Sequence, residues 1–247
     1  MRLPVLALHR VVAEPTAFHD VSLRSLEVLL DSLCAARTVT TDLSPFDESR
    51  TDRFVLTFDD ATTDHHAVGE LLAERCLAGI FFVPTGLVGS KGHLSWAAVR
   101  ELVSMGHAVG CHSESHIPFD RLSPSQITQE LRIPLLRMSE QGFREPLPFA
   151  APGGVMTPRL GDFAREAGHT CCRTMRWGIY RNASQRYRVP VIPLTEPLLS
   201  RGWVARAAIT GRLPSAMHLM SLGRTALPES LRQVLKARVA QQLDRRG

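Results

Sequence analysis

The 247-residue chain contains no apolar run near the roughly 18 residues that a membrane-spanning helix needs. It has no low-complexity tract and no internal repeat, so disordered, fibrous and solenoid architectures fall away. Its five cysteines (Cys34, Cys76, Cys111, Cys171 and Cys172) are odd in number and scattered, with no CxxC spacing. That pattern argues against a disulfide framework and against a thiolate zinc site. The glycine-rich phosphate fingerprint of the dinucleotide-binding folds is missing. The opening MRLPVLALHR has only a short apolar run, carries Pro4 and His9, and shows no small-residue cleavage site. It reads as a strand rather than a secretory leader, and a reducing, cytoplasmic setting is the expectation.

What is present is an ordinary globular balance of 44% hydrophobic and 21% charged residues. The length fits one large domain, or one domain with an appendage. Residues 4–12, 54–58, 78–83, 108–111, 147–150 and 187–192 read as strands, and 23–33, 68–75, 96–104, 125–140 and 158–167 as helices. Ser22 and Ser95 are the expected N-caps, Gly106 and Gly168 the stops, and Pro134 is expected to kink or interrupt its helix. This alternation calls for a parallel sheet with helices outside, as a (β/α) barrel or a doubly wound sheet. After Pro193 the strand pattern ends, and a helical appendage is expected.

Two constellations carry chemistry. Thr57-Phe58-Asp59-Asp60 directly follows a buried strand. Adjacent carboxylates at a strand end are costly unless a cation or a proton compensates, although one Asp capping the next helix is an equal reading. His112-Ser113-Glu114-Ser115-His116 follows another strand. Histidines four apart lie on one side of a helical turn, so both imidazoles can reach one ion, with Glu114 pointing elsewhere, although two surface histidines are the commoner reading of such a pair taken alone. Two His and one Asp make a facial set for a divalent metal with open positions, and the spare carboxylate can serve as general base.

TFDD and HSESH, with their spacing, resemble the polysaccharide deacetylases, the nodulation-protein-B homology domain of family 4 carbohydrate esterases. The likeness extends over PVLALHRV, GIFFVPTGLVG, LSWAAVRELVSMGHAVGCHSESH, FDRLS, FAAPGG and RYRVPVI, about residues 3–195. It implies an α/β fold, a distorted, TIM-like (β/α) barrel of about seven strands, over 1–195. It implies Asp59 as catalytic base and Asp60, His112 and His116 as ligands of one divalent ion, Zn first, with Co, Ni, Mn or Fe as alternatives. Backbone N–H groups at Gly153 and Gly154 would hold the oxyanion. The implied reaction removes an acetyl group from an N-acetylated sugar, on a polysaccharide or on a lipid-linked or nucleotide-linked intermediate.

The chain departs from the family pattern in places. Gly usually follows the two Asp; here Ala61 does, and it is strained if that position needs φ > 0. Thr62 replaces an aromatic. The third motif often carries an Arg that holds the catalytic Asp, and Ala150 stands there. Arg173 and Arg188 are candidate substitutes, with surface charges as the plainer reading. The late Leu-x-His motif has no clear match, so His9, near the end of the first strand, is the candidate general acid. His65 and His66 are taken as surface residues. Trp177 and Trp203 are candidates for stacking on sugar faces, with core packing the plainer role for Trp177.

The net charge of +5 is localised: residues 196–247 hold nine basic and three acidic side chains, leaving the rest near neutral. A basic, amphipathic segment suits peripheral contact with the inner face of an anionic membrane, or a helix packed on the barrel with a solvated Arg face. No recognition motif or aromatic platform accompanies the charge, so nucleic acid is not an expected partner. Two other functions stay open: hydrolysis of a non-sugar C–N amide bond on the same site, and a catalytically silent carbohydrate-binding relative.

Overall fold

The computed structural model describes residues 3–34, 38–43, 53–144, 146–154 and 157–200. In chain order the strands are β1 (Val5–Leu8), β2 (Val11–Val12), β3 (Val21–Ser22), β4 (Thr38–Val39), β5 (Arg53–Phe58), β6 (Ile80–Val83), β7 (Ala108–Cys111), β8 (Phe149–Ala150), β9 (Cys172–Trp177) and β10 (Val189–Pro193). Their order is β1-β10-β9-β8-β7-β6-β5, and β5 pairs back onto β1, closing a seven-stranded parallel barrel. That is the barrel expected, and it removes the doubly wound alternative. β4 extends the entry end of β5, and β2 pairs with β3 outside the barrel.

The helices are α1 (Leu23–Cys34), α2 (His65–Glu74), α3 (Trp96–Ser104), α4 (Pro124–Glu140), α5 (Leu160–Ala167) and α6 (Glu196–Leu199). Their ends follow local chemistry. Ser95 Oγ accepts the Ala98 N–H, and Ser123 with Gln126 closes a reciprocal capping box. Gly168 stops α5 at φ 101, where a side chain would be strained. α4 runs unbroken through Pro134, whose ring is buried on the core side, so packing overrides the expected interruption.

Strand alternation divides the core in two. Leu6, Leu8, Leu56, Phe58, Phe81, Val83, Val109, Cys111 and Phe149 face outward onto the helices, with Leu26, Leu29, Leu30 and Leu33 of α1. Val5, Ala7, Val55, Ile80, Phe82, Ala150, Met175, Val189 and Val191 fill the barrel interior. Successive strand side chains point to opposite faces. Continuing that period past the strand ends puts His9 with Val5 and Ala7, Asp59 with Val55 and Thr57, and His112 with Ala108 and Gly110. Arg173 shares the parity of Met175. Four polar residues are thereby delivered to one barrel mouth by four strands.

Three local readings differ from the sequence expectation. The expected strand over 4–12 breaks at His9-Arg10, where the chain leaves the barrel to form β2. β9 was not anticipated, because CCRTMRW carries two arginines and little alternation. β10 starts at Val189, preceded by a 3₁₀ segment over Ala183–Arg188. Of the expected appendage, only 196–200 are described, and α6 packs at the start of α1. Residues 201–247, with Trp203 and nearly all of the basic segment, lie outside the described residues.

Candidate active site

Asp59 is buried at 1% exposure, and its backbone N–H donates to Leu8 O, which ties the end of β5 to β1. Its carboxylate accepts hydrogen bonds on both oxygens from one guanidinium nitrogen of Arg173. Arg173 is itself fully buried, with its Cζ 5.0 Å from the centroid of the Phe82 ring and Nη1 3.2 Å from Met175 Sδ. Burial alone would raise the Asp59 carboxyl. The Arg173 charge, with His112 and His9, more than offsets that and holds it below its ordinary value. Asp59 is therefore an ionised carboxylate in a nearly dry place.

Of the two candidate arginines, the fold brings only Arg173 to Asp59. Arg188 is exposed, and its Nη2 donates to Pro158 O. Ala150, where the family motif often has Arg, pairs in register with Arg173 on the neighbouring strand. The guanidinium thus arrives from β9 rather than β8.

Asp60 and the two histidines converge beside this pair. Asp60 Oδ1 lies 3.2 Å from His112 Nε2 and 2.9 Å from His116 Nε2. The three ligand-type atoms lie within 4.8 Å of one another, the one such cluster found among the described residues. His112 Nδ1–H donates to Ala150 O at 2.8 Å, which fixes the ring and leaves Nε2 with its lone pair inward. Asp60 Oδ1 and His116 Nε2 are shielded from solvent, yet neither has a directed hydrogen bond. Atoms that converge on a point without bonding each other suit a cation between them. Burial disfavours the Asp60 charge, but the two histidines hold its carboxyl well below the usual range; Asp60 in turn raises His116 against its own burial.

The backbone at both motifs is unusual. Asp60 has φ 78 and Ala61 φ 48, so the position that glycine usually takes does hold a left-handed alanine. Ser113 (φ 66) and His116 (φ 59) are also left-handed. The HSESH segment is accordingly an irregular loop, not the helical turn expected from the four-residue spacing. Four non-glycine residues in this region mark a site held by its surroundings.

His9 Nε2 lies 3.6 Å from Asp59 Oδ2, and its ring stacks on His19 at 4.6 Å. Burial lowers its affinity for a proton, with Asp59 and Asp60 opposing. His65, read as a surface residue, is fully buried, and its Nε2–H donates to His9 O at 2.7 Å. Asp64 beside it accepts the Val11 N–H at 2.7 Å. The first turn of α2 thus holds the loop that presents His9. His66 is half-exposed and pairs with Glu101, as a surface residue does. Gly153 and Gly154 adopt φ 61 and φ 67 after β8. Gly154 N–H is committed to Ala151 O, and a Cβ there would come within 2.1 Å of Met175 Cβ. Trp177 is part-buried against the outer core.

Fold and site define a closed (β/α) barrel with a buried, arginine-paired carboxylate beside an Asp–His–His cluster. A family model described as polysaccharide deacetylase matches residues 47–172, and the chain belongs to that family, the carbohydrate esterases of family 4. No curated protein sequence matches the chain. Among solved structures it is similar to the Streptococcus pyogenes deacetylase PplD, at 17% identity and TM-score 0.75, covering 87% of this chain and 99% of that one. It is similar to IcaB from Ammonifex degensii, at 24% identity and TM-score 0.73, covering 84% and 97%. A de-N-acetylase from Aggregatibacter actinomycetemcomitans aligns at 17% identity and TM-score 0.69, covering 79% and 95%. At these identities the likeness shows a shared fold. No helix among the described residues is long and apolar enough to cross a membrane.

Proposed function

We propose that this protein removes an acetyl group from an N-acetylated sugar, using one divalent ion held by Asp60, His112 and His116. The observation that carries the reading is the pairing of two arrangements in one barrel mouth: a carboxylate kept ionised by a buried arginine, and three converging ligand atoms, of which Asp60 Oδ1 and His116 Nε2 are buried without directed hydrogen bonds. The donor set of two imidazoles and one carboxylate fits Zn²⁺ and its neighbours in the first transition row. Once bound, such an ion supplies Lewis acidity toward the acetyl carbonyl and lowers the pKa of water.

Asp59 is the general base. Its carboxylate is ionised, buried and oriented by Arg173, so it can accept a proton from attacking water without being solvated itself. Arg173 cannot take that proton, so it orients and stabilises Asp59 rather than competing with it. The backbone N–H of Gly153 is the candidate oxyanion donor, since that of Gly154 is already used. His9, with its Nε2 3.6 Å from Asp59 Oδ2, is the candidate proton donor to the departing amine. Its lowered proton affinity suits delivery of a proton, which it can acquire from Asp59 after the attack. The N-acetyl preference draws on the de-N-acetylase among the structural neighbours, and the carbohydrate class on the family. The basic segment 196–247 is kept as a candidate contact with an anionic surface near the substrate.

The test is acetate release from N-acetylglucosamine oligomers and lipid-linked N-acetyl sugars, with and without chelation. Asp59→Asn is expected to lower kcat by about a hundredfold or more, the usual worth of a general base. It should leave Zn²⁺ binding intact. Unchanged turnover in Asp59→Asn would overturn the assignment; amine release from non-sugar amides alone would move the substrate class.

A further inference from the structure

The two histidine ligands are held differently. His112 is fixed through its ring by Ala150 O. His116 makes no such ring bond among the described residues; only its backbone N–H is tied, to Ser113 Oγ at 3.0 Å. The aim of its imidazole therefore depends on the shape of the loop over 113–116, and that loop sits in a costly conformation at both ends. Something must hold it there.

The carbonyl side of the loop is held by the segment after β6. Thr85 N–H donates to Ser113 O, and Gly86 N–H donates to Glu114 O. Gly86 permits this approach, because a Cβ there would lie 2.6 Å from Glu114 O. The N–H side is held by one side chain from α4. Glu130 Oε2 accepts the backbone N–H groups of Glu114 (2.9 Å) and Ser115 (2.8 Å), and Oε1 accepts Ser115 Oγ at 2.6 Å. Successive N–H groups turned to one side form a concavity that favours an anion, and here the anion is built in. The Glu114 side chain points away from the ligands and strengthens the same frame. It accepts from Thr85 Oγ1 at 2.5 Å and pairs with Arg137 of α4 at 2.7 Å.

We infer that Glu130 is a positioning residue for the proposed ion: its carboxylate locks the loop that aims His116, and so sets metal affinity from a distance. This rests on the reading of Asp60, His112 and His116 as ligands. Loss of such an outer support typically costs 10–100-fold in metal affinity. Glutamine can reproduce the geometry, its carbonyl oxygen accepting both N–H groups and its amide facing Ser115 Oγ. Alanine cannot.

The experiment titrates the full-length, metal-free protein with Co²⁺, read by calorimetry and by the visible ligand-field bands, for wild type, Glu130→Ala and Glu130→Gln. Glu130→Ala should weaken Co²⁺ binding about 10–100-fold, with altered bands, and Glu130→Gln should restore it to within about threefold. If Glu130→Ala does not fold, Ser115→Ala, which removes only the Oε1 bond, carries the test with about a threefold loss. Wild-type affinity in a folded Glu130→Ala protein overturns the inference while leaving the ligand assignment intact, even if its thermal stability falls. Equal weakening in both Glu130 variants overturns the hydrogen-bonding role in favour of simple charge. Failure of the wild type to bind Co²⁺ overturns the ligand assignment, and the inference with it.

Discussion

Ala61 occupies a left-handed position that glycine would take without cost, and magnitudes explain why alanine is tolerated. The conformation costs roughly 1–2 kcal/mol. Against it stand about 0.8 kcal/mol from burying the methyl group, which is 1% exposed, and roughly 0.5–1 kcal/mol of backbone entropy that glycine would forfeit. Ala61→Gly should therefore change unfolding free energy in urea by less than about 1 kcal/mol. Arg173 is the opposite case, since its charge is the largest that stabilises the Asp59 carboxylate. Arg173→Met removes the one guanidinium that bonds Asp59 among the described residues, taking away the largest compensation of a buried carboxylate, at a cost of about 3–5 kcal/mol. The Asp59 carboxyl should then rise and its service as base fail, so kcat drops by about a hundredfold or more, while Zn²⁺ affinity changes little. Steady-state kinetics beside denaturant melts would separate the two effects.

At the scale of elements, the site depends on how α2, α4 and the strand ends are locked together. His107, at the entry to β7, is 4% exposed and bridges two segments. Its Nε2–H donates to Gly69 O in α2, and its Nδ1 accepts the Gly79 N–H ahead of β6. That pattern needs the neutral ring. Burial pushes its proton affinity down, and the bond to Gly69 opposes this only in part. The unfolded chain takes up a proton near the ordinary His value of about 6.5, while the folded chain does not until lower pH. Stability from this bridge is thus present above about pH 6.5 and lost as pH falls toward the lowered folded value. His107→Gln should flatten the decline in unfolding free energy between about pH 7.5 and 5.5, measured by urea melts at each pH. Element-scale reading of the sequence succeeded where amphipathic spacing was strong, as in α1, α3 and α5. It failed at β9, whose arginines mask a strand buried on both sides, and at HSESH, where a loop held by β6 and α4 imitates helical spacing.

For the whole molecule, closure of β5 and β10 onto β1 is the decisive contact, because it brings three strand ends and Arg173 of β9 to one mouth. A clasp follows the last strand. Glu196, the first residue of α6, accepts Ser22 N–H (2.7 Å), Ser22 Oγ (3.0 Å) and Ser25 Oγ (2.7 Å) at the start of α1, and its own N–H donates to Asp20 O. Residues 196–200 are therefore firmly attached to the barrel. Glu196→Ala leaves the N-terminal groups of α1 to solvent and should lower unfolding free energy by about 1–3 kcal/mol, with kcat unchanged, as measured by melts and acetate release. The same clasp holds the start of α6 next to the segment before β3 that carries His19.

By itself the sequence determined the repeating strand–helix order, the caps, and two motifs whose residue types offer a candidate metal-ligand set and a spare carboxylate. These are local properties: periodicity, capping groups and donor chemistry are all set within a few residues. The tertiary structure decided what depends on distant segments meeting. It chose Arg173 over Arg188, buried His65 under His9, and let Glu130 brace a loop lying 14 to 17 residues before it in the chain. Such choices rest on barrel closure and on which strand residues face inward. No short stretch of chain carries that information.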